Sequence, residues 1–472
     1  MNRRFTTLLL AGLTTLSVFG FAACGGSVDK HNGDTVYVTV VDAGFGKEWL
    51  SSIADDYKIE TGIDVDVVAD PNLLSKLEDD LKGGYDLDDL YFTFNNTTFQ
   101  WANNGYMADL TDIFQETHEG ENVKIEDKYR EQKVADFGLF DGKRYAANFS
   151  YSATGFVYNQ TYLNQIESFG EYTKGVWPAT WQGLLDLGTA LDKSGLKKGE
   201  DSVKLLSYGV TVNDLQYLYY TLWGQLDYEG VQAYNNQDDR SGPKKDLLVN
   251  ESTIKTINSI RDLLKPTADK GGYSQNSVDG VTGKNHLDAQ RTFGSGFSVC
   301  CVTGSWFYTE MSGIMKDSPY ELRFGAVPTV AGGQSTVQIN QPGEFFFVPA
   351  EAENVQGAKD FLKFVLRDDN LDKIYSAWQM PTAFKSATED GVELGNWGKD
   401  VKKVIDNNRH VIHGSTTLVG RTGALYSIPN KDDFIKIATA KVTGNVGEQI
   451  MNAVYNRQEE DWADNMSKLE NI

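Results

Sequence analysis

Chemistry is best sought first in the residues able to perform it. The chain carries 66 Asp and Glu residues, so some carboxylates must lie close together, and a pair alone does not argue for glycoside hydrolysis. There is no His-Glu-x-x-His helix, no Gly-x-Ser-x-Gly elbow and no phosphate-cradling P-loop. His410 and His413 share a short segment without evident further ligands. Asp86, Asp88 and Asp89 lack the glycine and glutamate of a calcium loop. Cys300 and Cys301 are adjacent within the apolar run from Phe297 to Val302 and read as core thiols, since a ring closed between neighbours would be strained. No catalytic constellation, metal-ligand set or cofactor motif emerges. What the chain does hold is aromatic residues beside polar turns. Sugar rings offer weakly polarised C–H faces and a rim of hydroxyls, so a pocket for them needs flat aromatic surfaces with amides or carboxylates around them. Phe45, Trp223, Trp306 and Trp378 are the candidate faces, and Asp70, Asn95, Asn96 and Glu344 the candidate hydrogen-bonding groups. Each has an equally good reading as a core aromatic or a solvated polar residue. Trp49, Trp177 and Trp181 sit at helical or capping positions and are assigned to packing.

The elements around these residues give the candidates positions. Val36, Val38 and Val40 alternate with Tyr37, Thr39 and Val41, a strand pattern. After the turn Gly44-Phe45-Gly46, the residues Trp49, Ile53 and Tyr57 recur at helical spacing up to Thr61-Gly62. Ile63 to Val68 reads as a second strand stopping at Asp70-Pro71. Leu73, Leu74, Leu77 and Leu81 form a helical stripe ended by Gly83-Gly84, and a third strand runs from Leu87 to Phe94. Such regular alternation predicts βαβ units and an α/β fold with a parallel sheet. Ligands of open α/β sheets sit beyond the carboxyl ends of the strands, which singles out Gly44-Phe45, Asp70 and Asn95-Asn96. A second α/β stretch begins near Tyr151. It contains a strand at Phe156-Val157-Tyr158, a helix capped by Thr180, a strand from Tyr208 to Val212 and a helix bearing Leu215, Leu218, Leu222 and Trp223. Tyr234 to Asp246 is polar and predicts an exposed loop. Further helices are expected at Thr253 to Leu264 and Ala358 to Val365.

With 472 residues the chain exceeds what one compact core accommodates, so two or more domains or lobes are expected. The formal net charge of −22 repels phosphate backbones and anionic lipid, which argues against a nucleic-acid partner. Arg3 and Arg4, the uncharged apolar run Leu8 to Phe21, and the small residues Ala22 and Ala23 before Cys24 describe a secretory leader. The run is too short for a comfortable membrane span. Phe21-Ala22-Ala23-Cys24 resembles a bacterial lipobox, which implies lipidation of Cys24, anchoring to the membrane through acyl chains only and an extracytoplasmic location. The expected layout is a signal peptide over 1–23 and a polar tether over 24–34.

From about Thr35 to about Lys385 the chain resembles the carbohydrate-type extracellular solute-binding proteins of ABC importers, the superfamily that includes maltose-binding protein. Several stretches carry the resemblance in order. They are Ala43-Gly44-Phe45-Gly46-Lys47-Glu48-Trp49-Leu50; Asn104-Gly105-Tyr106-Met107-Ala108-Asp109-Leu110; and Asp141-Gly142-Lys143-Arg144-Tyr145-Ala146 followed by Val157-Tyr158-Asn159. Pro178-x-Thr180-Trp181, Thr303-Gly304-Ser305-Trp306, Gly325-Ala326-Val327-Pro328 and Gln379-Met380-Pro381 continue the series. The resemblance implies a two-lobe periplasmic-binding-protein-like fold with parallel-rich sheets, hinge crossings and a central cleft. Lobe one is expected over 35–148 and 340–380, lobe two over 149–339 and 381–472. Residues 386–472 carry no family motif that can be quoted. Carried over by position, Phe45, Asn95 and Asn96 face the cleft from lobe one, Tyr151, Trp223 and Trp306 from lobe two, with Glu344 and Trp378 near later crossings. The resemblance also implies a monomer that closes on a carbohydrate, most simply an oligosaccharide, and presents it to permease subunits in the membrane, with no catalysis. Competing classes are a surface glycan hydrolase or lyase, which requires a carboxylate pair at glycosidase separation, an adhesion or scaffold lipoprotein without a closing cleft, and a receptor for a peptide or polyamine.

Overall fold

The computed structural model describes residues 35–94, 98–210, 214–238, 240–265, 276–280, 283–341, 343–412, 429–439, 441 and 444–470. The leader, the tether with Cys24, and the candidates Asn95, Asn96 and His413 lie outside the described residues. β1 (Thr35–Val41) turns Val36, Val38 and Val40 into the core. The helix Glu48–Thr61 follows and buries Trp49, Leu50, Ile53 and Tyr57 along one stripe, as its spacing predicts. It stops where Gly62 adopts φ 79° and its N–H returns to the Lys58 carbonyl, a left-handed cap that costs glycine no Cβ clash. β2 (Asp64–Asp70), the helix Leu73–Gly83 and β3 (Leu90–Thr93) complete two βαβ units. β1 lies between β2 and β3, parallel to both, with Val38 opposite Val67 on one side and Leu90 on the other.

After β4 (Ala147–Asn148) the chain leaves this sheet. A second sheet takes β5 (Ser152–Asn159), β6 (Lys204–Ser207), β7 (Ser298–Gly304), β8 (Leu322–Gly325) and β9 (Thr336–Asn340). β10 (Phe345–Phe347) returns to the first sheet, and β11 (Arg409–Ile412) belongs to the second. The strand orders are β2-β1-β3-β10-β4 and β6-β7-β5-β9-β11, with β8 also paired to β5. Both sheets are therefore mixed rather than parallel-rich. β10 runs antiparallel to β3 and β4, and β5 antiparallel to β7, β8 and β9. Parallel neighbours need a long crossover, and the strands that carry the chain between sheets arrive through short links and run against their new neighbours.

Those links lie together. Residues 149–151 join β4 to β5, residues 341–344 join β9 to β10, and the chain crosses again after the helix Asp368–Trp378. Phe149 N–H donates to the Glu344 carbonyl at 2.8 Å, Ala383 N–H to the Phe149 carbonyl at 2.7 Å, and Gln341 Nε2 to the Ser150 carbonyl at 2.7 Å. On the first sheet's side an aromatic knot packs against them. Phe149 lies 5.8 Å from Trp49, 5.1 Å from Phe346 and 5.6 Å from Trp378, and such pairs add about 0.5–1.5 kcal/mol each beyond their area. The second sheet is covered by the helix Leu215–Leu226, whose Leu218, Tyr219, Leu222 and Trp223 are fully buried.

Three sequence readings shift. The segment from Tyr234 to Asp246, expected as an exposed loop, begins inside the helix Tyr228–Asn235, where Tyr234 is buried and its hydroxyl accepts from Gln458 Nε2 at 2.7 Å. The strand expected at Tyr208 to Val212 lies earlier, at Lys204–Ser207, because the chain turns at Gly209. A Cβ there would stand 2.6 Å from the Asn285 carbonyl carbon, and the Gly209 N–H is already bound by Asp214 at 2.6 Å. The C-terminal segment, which matched no motif, forms the helices Asn396–Asp406, Lys431–Ala438 and Val446–Glu470. The last of these inserts Ile450, Met451 and Val454 into the second sheet's core and sets Arg457 on the buried Asp433 at 2.7 Å. The Thr180 cap is present, its hydroxyl accepting from Gly183 N–H at 3.0 Å.

Candidate functional site

β7 is buried along its whole length and ends at Gly304. Its sequence then turns through Ser305, tied on two sides. Ser305 exchanges backbone and hydroxyl hydrogen bonds with Ala153 of β5 at 2.8 and 3.1 Å, and its Oγ lies 3.3 Å from Met380 Sδ on the third crossing. The turn delivers Trp306, whose ring folds back over Gly304. A Cβ on residue 304 would lie 2.0 Å from that ring, so glycine is required for the indole to occupy this place. Trp306 keeps part of its surface open and meets Tyr217 edge-on, with ring centroids 5.5 Å apart at 70°. The short helix Phe307–Glu310 that follows brings Glu310 one turn further.

Carboxylates surround this aromatic pair. Glu310 accepts from Gln290 Nε2 at 2.8 Å and lies 3.5 Å from His286 Nε2. That contact with Glu310 raises the His286 pKa against the lowering effect of burial. His286 opens the helix His286–Gly294, which is capped by Asn285. Asp214, in the turn before the helix Leu215–Leu226, is 3% exposed and receives the Gly209 N–H. Burial pushes its carboxyl up to about 7. Glu344 stands on the second crossing, and burial raises its carboxyl too, with the Ser150 hydroxyl opposing and the charge of Glu310 adding. The Tyr217 phenol links the set. Its pKa is raised by burial and by the charges of Asp214, Glu310 and Glu344, so all of these carboxylates act on one point. From the first sheet, Gly44 in the loop after β1 faces Glu344, since a Cβ there would come within 3.7 Å of Glu344 Oε1. The arrangement is an aromatic surface with acceptor groups around it, between the carboxyl end of β1 and the end of β7. It can stack a ring and accept hydrogen bonds from hydroxyls or from a cation. Among the described residues, no group of His, Cys, Asp and Glu is arranged to hold a metal ion.

The structure distributes the sequence candidates unevenly. Trp306 and Glu344 are both half-buried. Phe45 and Trp378 are 6% and 1% exposed and stack on each other at 4.1 Å in the aromatic knot. Trp223 is fully buried among Tyr219, Tyr220 and Tyr234. Tyr151, 1% exposed, turns its hydroxyl to Glu131 and His410. Asp70 does end β2, but its carboxylate holds Lys76 at 2.7 Å and the Asn72 N–H at 2.8 Å, and these contacts, Lys76 first, lower its pKa. Sequence reasoning missed Tyr217, Asp214, His286 and Glu310.

No helix among the described residues is long and apolar enough to cross a membrane. The sequence model of one family, bacterial extracellular solute-binding protein, matches residues 52–403. No curated protein matches the chain.

Proposed function

The chain belongs to the bacterial extracellular solute-binding proteins that serve ABC importers, and we propose that its solute is a carbohydrate, most simply an oligosaccharide, held at the Trp306 crevice without being converted. The observation that carries this reading is the partly open Trp306–Tyr217 pair with Asp214, Glu310 and Glu344 acting on it. A sugar face stacks on an indole while its hydroxyls donate to carboxylates. In the same reading the two sheets are the cores of two lobes, 35–148 with 340–380 and 149–339 with 381–472, that bend about the three crossings. The protein acts as a monomer, delivers its ligand to membrane permease subunits, and is anchored through a lipidated Cys24 after removal of residues 1–23. Loss of palmitate incorporation in Cys24→Ser tests the anchor.

A second reading has a specific observation behind it. Asp214 is held by a backbone N–H and Glu344 has the Ser150 hydroxyl for a partner, whereas buried Asp433 carries Arg457. Among the described residues, no lysine or arginine pairs with Asp214 or Glu344, and the cationic group acting on Asp214 is His286; such carboxyls suit a ligand that brings a charge, such as a polyamine. Thermal-shift measurements against neutral oligosaccharides, amino sugars and spermidine separate the two. A ligand at a hundredfold excess over its Kd stabilises by about 2.7 kcal/mol. Stabilisation by neutral oligosaccharides without product supports the first reading, stabilisation by spermidine alone supports the second, and steady turnover of a glycan would sink both.

A further inference from the structure

Beside the first crossing, a separate polar cluster spans from one sheet to the other. Glu131 immediately precedes the short helix Gln132–Asp136, which is tied to the first sheet's side by Arg144 donating to the Ala135 carbonyl at 2.9 Å. His410 belongs to β11 of the second sheet, opposite Val337. His410 Nδ1 lies 2.6 Å from Glu131 Oε1, and Nε2 lies 2.9 Å from the Ile405 carbonyl oxygen. Tyr151, on the crossing itself, donates its hydroxyl to Glu131 and stands 3.1 Å from His410 Nδ1. Close by, Lys133 Nζ reaches Gln232 Oε1 of the helix Tyr228–Asn235 at 3.3 Å, a further link between the two sides.

The proton count follows from the partners. A carbonyl oxygen and a carboxylate only accept, so both ring nitrogens of His410 must donate for both contacts to be hydrogen bonds. Only the imidazolium does so. In the neutral ring one nitrogen turns a lone pair toward its acceptor, either the Ile405 carbonyl or Glu131, so one of the two contacts is lost, and in either tautomer the charge attraction between His410 and Glu131 across the sheets disappears. We propose that Glu131 and His410 form a proton-dependent brace between the two sheets, closed while His410 is cationic and released as it loses its proton.

The surroundings agree with this polarity. Burial alone would lower the His410 pKa, but the hydrogen bonds to Glu131 and to the Ile405 carbonyl, with the charges of Glu131 and Asp406, outweigh it and leave the value raised. Burial likewise raises Glu131, and His410 and Tyr151 bring it below its ordinary value. The other charged or titratable groups facing the pair are Arg130, whose guanidinium lies 5.9 Å from the Tyr151 ring centroid, Lys133 and Asp136, and Arg409 stacked on Tyr228 at 4.1 Å. Burial pushes Lys133 down to about 8, so it too loses charge on the alkaline side. A group whose pKa is raised on folding contributes fully below its unfolded value, about 6.5 for histidine, and the contribution is lost as pH rises through the folded value.

The test follows His410 by NMR titration and the radius of gyration by X-ray scattering from pH 5 to 9, in the whole protein and in Glu131→Gln and His410→Gln, with circular dichroism to confirm that the variants fold. The expected result is a raised His410 midpoint that falls in Glu131→Gln. The radius of gyration should increase above that midpoint in the unsubstituted protein and stay flat with pH in both variants. A radius independent of pH in the unsubstituted protein, or the same pH response in all three, overturns the proposal. A His410 midpoint unchanged by Glu131→Gln overturns it as well.

Discussion

Two aromatic groups in this molecule use the same residue types for different ends. In the knot of Phe45, Trp49, Phe149, Phe346 and Trp378, every ring is at most 7% exposed and faces other rings. At the crevice, Trp306 meets one ring among the described residues, Tyr217, is only half-buried, and Tyr217 feels the charges of Asp214, Glu310 and Glu344. Tryptophan beside a polar turn describes both Trp378 and Trp306. The distinguishing feature is enclosure: the knot's rings are covered by other rings, whereas Trp306 is half-buried and its neighbour Tyr217 feels the carboxyls of Asp214, Glu310 and Glu344. A substitution should therefore cost stability in the first region and affinity in the second.

The largest expected effect is in the knot. Trp378→Ala removes a fully buried indole from four aromatic neighbours and should destabilise by about 3–5 kcal/mol. A urea-unfolding midpoint close to that of the unsubstituted protein would break the distinction. Gly304→Ala is intermediate, since its Cβ must displace the Trp306 ring. Overpacking of this kind costs roughly 1–3 kcal/mol, and ligand affinity should fall with it. Retained affinity measured by calorimetry would show that the ring's position is not what matters. For Trp306→Ala the stability change should stay within about 1 kcal/mol, while affinity falls around tenfold, about 1.4 kcal/mol. Unchanged affinity takes Trp306 out of the site.

Asp214 gives the most diagnostic effect, read as a slope with pH rather than as a single difference. Its carboxyl is raised to about 7 by burial, so between the unfolded value near 3.9 and about 7 the folded state binds more protons than the unfolded one. Stability should then decline as pH rises through that window. Denaturation midpoints from pH 4 to 8 should slope less in Asp214→Asn. Identical slopes would place the burial penalty elsewhere and make the crevice resemble the knot.

Much of the fold could be read from the chain. The valine alternation of β1, the stripe Trp49-Ile53-Tyr57 and the breaks at Gly62 and Gly84 are local signals, set by pleat and helix period and by glycine's freedom at positive φ. Thr180 was legible as a cap for the same reason. The crossings were half legible. The family-like stretches Asp141 to Ala146 and Val157 to Asn159 lie on either side of the first, but nothing in the sequence states that Phe149, Glu344 and Ala383 share hydrogen bonds across long stretches of chain. The site was the least legible part. Trp306 and Glu344 were named, yet Trp223 and Trp378 were named beside them on the same grounds and are enclosed. His286 and Glu310 carry no motif, because a hydrogen-bonding side chain needs no particular spacing in sequence once two elements are packed together.

The sequence by itself therefore determined the elements, their alternation and the family, since these depend on periodicity, capping and turn chemistry within a few residues. Tertiary structure alone decided the mixed direction of the strands, which aromatics keep a face open, and that Glu131, Tyr151 and His410 meet. Burial and long-range proximity are properties of how elements pack. No local pattern encodes which side of a tryptophan the rest of the chain will cover.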